Sequence, residues 1–218
     1  MTPRAFWGAS LNGEDRWSDV LSRRLHERFG NEIAVVNAGI AGNRILKPEL
    51  YSAREPDASG PAALQRLGRD VLSLSGVSAI IWLEGANDLG PHGGAMLEEL
   101  EQAFTFGVWA LRLTAPAIRV IGATLTSARG SADFEGRDDD RKALNAFIRT
   151  SGLFDAVVDF DGATVNSATG ALKAEYAIPT NGVSKQDGLH PNRAGYLAMG
   201  ASIDLDALVR DIAAQPSS

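Results

Sequence analysis

Val77-Ser-Ala-Ile-Ile-Trp-Leu-Glu-Gly-Ala-Asn-Asp-Leu-Gly90 is a short apolar run that ends abruptly in a polar, glycine-bearing turn. Its first seven residues, rich in Val, Ile, Trp and Leu and without a helical period, predict a buried strand, and Glu84 to Gly90 predicts the loop at its carboxyl end. The pattern recurs along the chain. Upstream, Ile33-Ala-Val-Val36 runs into Asn37-Ala-Gly-Ile-Ala-Gly-Asn43, while downstream Ile118 to Leu125 enters a polar loop through Gly130 and Gly136. Ala156-Val-Val-Asp-Phe160 makes a further strand. Helical stretches separate them: Arg16 to Phe29, with Trp17, Val20, Leu21 and Leu25 on one stripe, Asp15 as cap and Gly30 as stop; Pro61 to about Gly76; Met96 to Leu113, weakened at Gly107; Asp138 to Ser151; and Pro191 toward Ala214. Residues 47–60 and 161–186 read as irregular. Strands alternating with helices imply an α/β fold with a parallel sheet, in which ligands bind beyond the carboxyl ends of the strands.

The chain has 218 residues, 44% of them hydrophobic, and no break in composition, so a single domain spanning 1–218 is expected. A net charge of -6 argues against a nucleic-acid partner, whose phosphates call for clustered Lys and Arg. A small, neutral molecule is the expected substrate. With no cysteine there is neither a disulfide framework nor a thiolate metal site. No apolar run is long enough for a membrane span, and Met-Thr-Pro-Arg-Ala-Phe-Trp7 lacks the apolar core of a signal peptide. The expectation is cytoplasmic by default, conditional on Met1 being the true start.

Chemistry concentrates near the C-terminus, in Asp187-Gly-Leu-His-Pro-Asn192. A carboxylate three residues before a histidine on a tight turn can fix the imidazole tautomer and steady the imidazolium, while the other ring nitrogen takes a proton from a nucleophile. Pro191 suits the first turn of a helix, which would set His190 at a positive helix end and oppose Asp187, leaving a base usable near neutral pH. Acyl transfer also needs donors for the oxyanion. Gly42 offers a backbone N–H and Asn87 a side-chain amide.

Together these blocks resemble the SGNH, or GDSL-type, esterase family. Asn37 to Asn43 is similar to its second block, with Gly42 as an oxyanion donor; Gly85-Ala-Asn-Asp88 to its third, with Asn87 as the oxyanion amide; and Asp187-Gly-Leu-His190 to its fifth, giving acid and base. The resemblance extends from Asp15-Arg-Trp17 to the helix after His190. It implies a three-layer α/β/α sandwich with a flavodoxin-like parallel sheet, a Ser-His-Asp hydrolase of carboxylic esters, and no cofactor or metal.

The family's first block, Gly-Asp-Ser after a central first strand, does not occur here. Gly8-Ala-Ser-Leu11 is similar to it with the aspartate replaced, which makes Ser10 the nucleophile. A competing alignment matches Gly8 to Trp17 with the stretch that follows the first block, so that the block falls upstream of Met1. The second alignment is the expected one, and the nucleophile is left unknown. A missing central strand leaves two strand edges unpaired unless residues 2 to 7 fill the gap, with Thr2 near the serine position. A non-catalytic relative that binds an ester or glycan is the alternative function, and a metal hydrolase using Asp187 and His190 lacks visible further ligands. Taken singly, Asp-x-x-His is a capped surface turn and Gly-Ala-Asn-Asp an ordinary one. His26 reads as solvated, His92 as a loop residue, Asp138-Asp-Asp140 as serving a helix dipole, and the Trp and Phe residues at helical spacing as core.

Overall fold

The computed structural model describes residues 14–48, 59–91, 93–131, 136–178 and 188–209. Ser10, Thr2, His92 and Asp187 lie outside these residues. Among the described residues three parallel strands, β1 (Ala79–Trp82), β2 (Arg119–Ala123) and β3 (Ala156–Val158), lie in the order β1-β2-β3. Register pairs Ala79 with Arg119 and Ile121 with Ala156.

Alternation along each strand sorts the side chains into two cores. Ile80 and Trp82 of β1 and Val120 of β2 face one cluster; Ala79, Ile81, Ile121, Ala123 and Val158 face the other. The first cluster is closed by α2 (Ala63–Leu67, continued by a π-turn over Gly68–Leu72), α4 (Leu97–Thr114) and α5 (Asp138–Thr150). Leu100, Phe104, Val108 and Leu111 of α4 and Leu144 and Ile148 of α5 are among its fully buried members. The second is closed by α1 (Trp17–Phe29), α7 (Arg193–Ser202) and α8 (Leu205–Val209), through Leu21, Leu25, Met199, Leu205 and Leu208. Helices on both faces of a parallel sheet make the three-layer α/β/α sandwich.

Gly107, expected to weaken α4, is required by packing. A Cβ there would lie 2.3 Å from the ring of Trp82. Trp82 meets Phe104 edge-on at 5.3 Å, and Phe104 meets Phe154 at 5.8 Å.

Several local expectations are corrected. Ile33 to Val36 forms no strand and pairs with none among the described residues; Ile33 and Val35 pack on the second cluster while Val36 is 71% exposed. A ladder needs a neighbour, and on its outer side β1 likewise meets no described strand. Arg16, not Asp15, is the N-cap of α1, its backbone N–H donating to Asp19; Asp15 is buried and faces Arg193 at 3.5 Å. Residues 86–89 form one helical turn, α3 (Ala86–Leu89), rather than an open loop. Phe160 leaves the strand for a short helix, α6 (Phe160–Thr164), capped by Asp159, whose carboxylate accepts from the Gly162 N–H. The final helix breaks between Ser202 and Leu205. Phe106 and Trp109 are not core: they are 57% and 59% exposed on the outer face of α4.

Candidate active site

At the carboxyl end of β1 the chain turns through Gly85, whose φ of 110° favours glycine; a Cβ there would also press on Leu144 at 3.1 Å. Here the 37–48 loop, α3 and the segment after β2 meet. The turn presents Asn87 and Asp88 toward the 37–48 loop. Asp88 is buried, and its carboxylate accepts from the backbone N–H of Ile45 at 2.9 Å and of Leu46 at 3.1 Å. Burial raises its pKa, opposed by those two backbone donors and by the charge of Arg44. Asn87 donates from Nδ2 to the Asn43 carbonyl at 3.0 Å. One amide N–H thus orients the side chain, and no described residue accepts the other.

The loop itself is held by short-range polar bonds. Asn37 Oδ1 accepts from the Gly39 N–H at 2.9 Å, and the Asn43 N–H donates to the Ile40 carbonyl at 3.1 Å. Gly42 between them has φ 74°, a left-handed conformation that favours glycine. No described residue accepts from its N–H. The structure therefore brings Gly42 and Asn87 to adjoining loops joined through Asn43.

Asn43, Arg66, Asp70 and Glu84 were not singled out by the sequence, yet they tie these loops together. Asn43 is buried and donates from Nδ2 to the carbonyls of Ser59 at 2.6 Å and Pro61 at 2.8 Å. Arg66, on α2, reaches Asn43 Oδ1 at 2.9 Å, the Ala38 carbonyl at 2.7 Å, Asp70 at 2.9 Å and Glu84 at 3.0 Å. Burial pushes Glu84 up to about 7, against the pull of Arg66 and with a further push from Asp88. The hydrogen bonds from Arg69 and then Arg66 hold Asp70 down to about 2. Asn43 and Glu84 fall inside the two polar loops the sequence marks, whereas Arg66 and Asp70 lie in a stretch read only as a helix, with nothing local to show that they would be drawn inward.

His190 follows a tight turn at Gly188, with φ 67° and a Cβ position only 2.4 Å from the Gly130 carbonyl carbon. Leu189 packs against the first cluster, and Pro191 forms an antiparallel bridge with Ala177. Asn192 is the N-cap of α7: its Oδ1 accepts from the Gly195 N–H at 3.1 Å, while its Nδ2 donates to the carbonyls of Glu175 and Ala177. Pro191 therefore precedes the helix rather than opening its first turn, and His190 stands two residues ahead of the cap. His26 is exposed, as a solvated face requires. Asp138 and Asp139 pair with Lys142, and Asp140 pairs with Arg137.

Fold and loops together define a three-layer α/β protein whose donor-bearing turns gather at the carboxyl edge of a parallel sheet. Residues 5–198 match the model of the GDSL-like Lipase/Acylhydrolase family, and the chain belongs to that family. No curated protein matches it. Among solved structures it is similar to a carbohydrate acetylesterase family member from Sinorhizobium meliloti, at 16% identity and TM-score 0.66, covering 95% of this chain and 91% of that one. A carbohydrate acetylesterase from the same organism superposes with TM-score 0.61 at 16% identity, over 92% and 86% of the two chains. The aryl esterase of M. smegmatis does so with TM-score 0.61 at 16% identity, over 87% and 82%. At such identities the likeness shows the fold. Ester hydrolysis is the chemistry of the family. Among the described residues no helix is long and apolar enough to cross a membrane.

Proposed function

We propose that the chain hydrolyses small carboxylic esters by a Ser-His-Asp mechanism, with His190 as general base and acid, Asp187 orienting it, and the Gly42 N–H and Asn87 amide stabilising the oxyanion. The observation that carries this reading is the bond from Asn87 Nδ2 to the Asn43 carbonyl, which aligns the amide beside the left-handed Gly42 turn. Two preorganised donors on one edge of a sheet are what a tetrahedral intermediate requires. The nucleophilic hydroxyl attacks the acyl carbon as His190 takes its proton; the same proton then passes to the departing alkoxide, and water repeats the sequence on the acyl-enzyme. Ser10 is the candidate nucleophile within this sequence.

Hydrolysis of a short-chain aryl ester tests the proposal. Turnover abolished in His190→Ala is the expected result, and undiminished turnover in that variant sinks it. Loss in Ser10→Ala assigns the nucleophile, whereas survival excludes Ser10. A second reading, a relative that binds an ester or glycan without turnover, is favoured by the absence of a Gly-Asp-Ser string. Its signature is ligand binding with no hydrolysis in the wild type.

A further inference from the structure

We infer that Arg66 is a positioning residue for the acyl-transfer site, its buried guanidinium clamping the Gly42 loop to the carboxyl end of β1 through Ala38, Asn43 and Glu84. The inference rests on the oxyanion assignment above. The side chain of Arg66 is only 8% exposed, although it lies on a short helix with solvent on its other side. A buried ion pair is weak as a source of stability, since well-packed apolar residues commonly replace one at no loss. Its geometry is what is unusual here. The planar fork spans four acceptors on three segments: Ala38 and Asn43 in the loop, Asp70 on its own helix, and Glu84 at the strand end.

Asn43 is the relay. Its Oδ1 accepts from Arg66, its own carbonyl accepts from Asn87, and it directly follows Gly42. A shift of Asn43 therefore moves both proposed oxyanion donors together. The loop has little apolar packing to hold it otherwise, since Val36 and Ile40 are exposed. Asp88 fastens the chain further on, at Ile45 and Leu46, so loss of the clamp should loosen residues 38–43 while the fold persists.

Arg66→Lys tests this, because one ammonium cannot span the four acceptors. Turnover of a short aryl ester should fall ~30-fold or more in kcat with KM changed less than about twofold, the mark of donors that act in the transition state. In the same variant, hydrogen exchange at the Asn43 N–H, which donates to Ile40, should quicken ~10-fold while the β2 amides stay as they were. Unchanged exchange at Asn43, or an equal rise at Asn43 and in β2, overturns the inference, the latter because it marks general destabilisation. If Arg66→Lys fails to fold, Glu84→Ala, which removes the acceptor at the strand end, should still quicken Asn43 exchange severalfold over β2; no change there is equally fatal. A wild type without turnover defeats the acylhydrolase reading, and the exchange measurements then decide the clamp on their own.

Discussion

Replacing Glu84 with glutamine should remove most of the fall in stability between pH 4.5 and 7. Glu84 has an ordinary pKa of 4.5, raised in the folded protein to about 7, chiefly by burial. Between those values the folded state holds a proton that the unfolded chain has released. Stability from this group is therefore fully present below pH 4.5 and is lost as pH rises through 7. A shift of that size corresponds to about 3 kcal/mol at 1.36 kcal/mol per pKa unit. Asp70, held down to about 2, works in the opposite sense and in a lower window: its contribution is present above its ordinary 3.8 and disappears as pH falls toward 2. Asp88, also raised by burial, is present in both proteins, so the difference between them reports Glu84 together with the push it receives from Asp88. Urea unfolding of wild type and Glu84→Gln at half-unit steps from pH 4.5 to 8 measures the effect. The wild-type curve should fall relative to the variant by about 3 kcal/mol and run parallel above pH 7.5. Parallel curves throughout, or a difference that grows above pH 8, would refute the burial argument for Glu84.

Three further outcomes follow from the geometry. Asn87→Ala, which removes a proposed oxyanion donor, should lower kcat for an aryl ester by ~100- to 1000-fold with KM little changed, and a change confined to KM would assign Asn87 to substrate binding instead. Gly188→Ala forces a left-handed alanine, costing about 1–2 kcal/mol, against the Gly130 backbone. Displacement of the His190 turn should then cut ester turnover ~10-fold or more while circular dichroism reports an intact fold. Gly107→Ala drives a Cβ into the Trp82 ring and should destabilise the protein by about 1–3 kcal/mol in urea, with kcat per folded molecule unchanged.

Much of the fold was readable in the chain because the signals are local. Ile80, Ile81 and Trp82 announce a strand by composition, and Gly30 and Gly152 stop helices because a left-handed residue ends them. The turns that carry Gly42, Asn87 and His190 were readable for the same reason, each being a few consecutive residues. The sequence misled where the answer depends on a distant neighbour. Ile33 to Val36 has strand composition, yet among the described residues no partner completes a ladder. Phe106 and Trp109 have core composition, yet α4 turns that face outward.

The alternation of strands and helices, the polar turns after the strands, and the residue types able to take up a proton or donate a hydrogen bond are written in consecutive residues and can be read there. The burial of Arg66, the rise of the Glu84 pKa to about 7 and the bond by which Asn43 joins the Gly42 turn to Asn87 come from the folded chain alone. Those properties arise from groups 18 to 44 positions apart meeting in a space that excludes water, where a charge or an amide is governed by its neighbours in three dimensions.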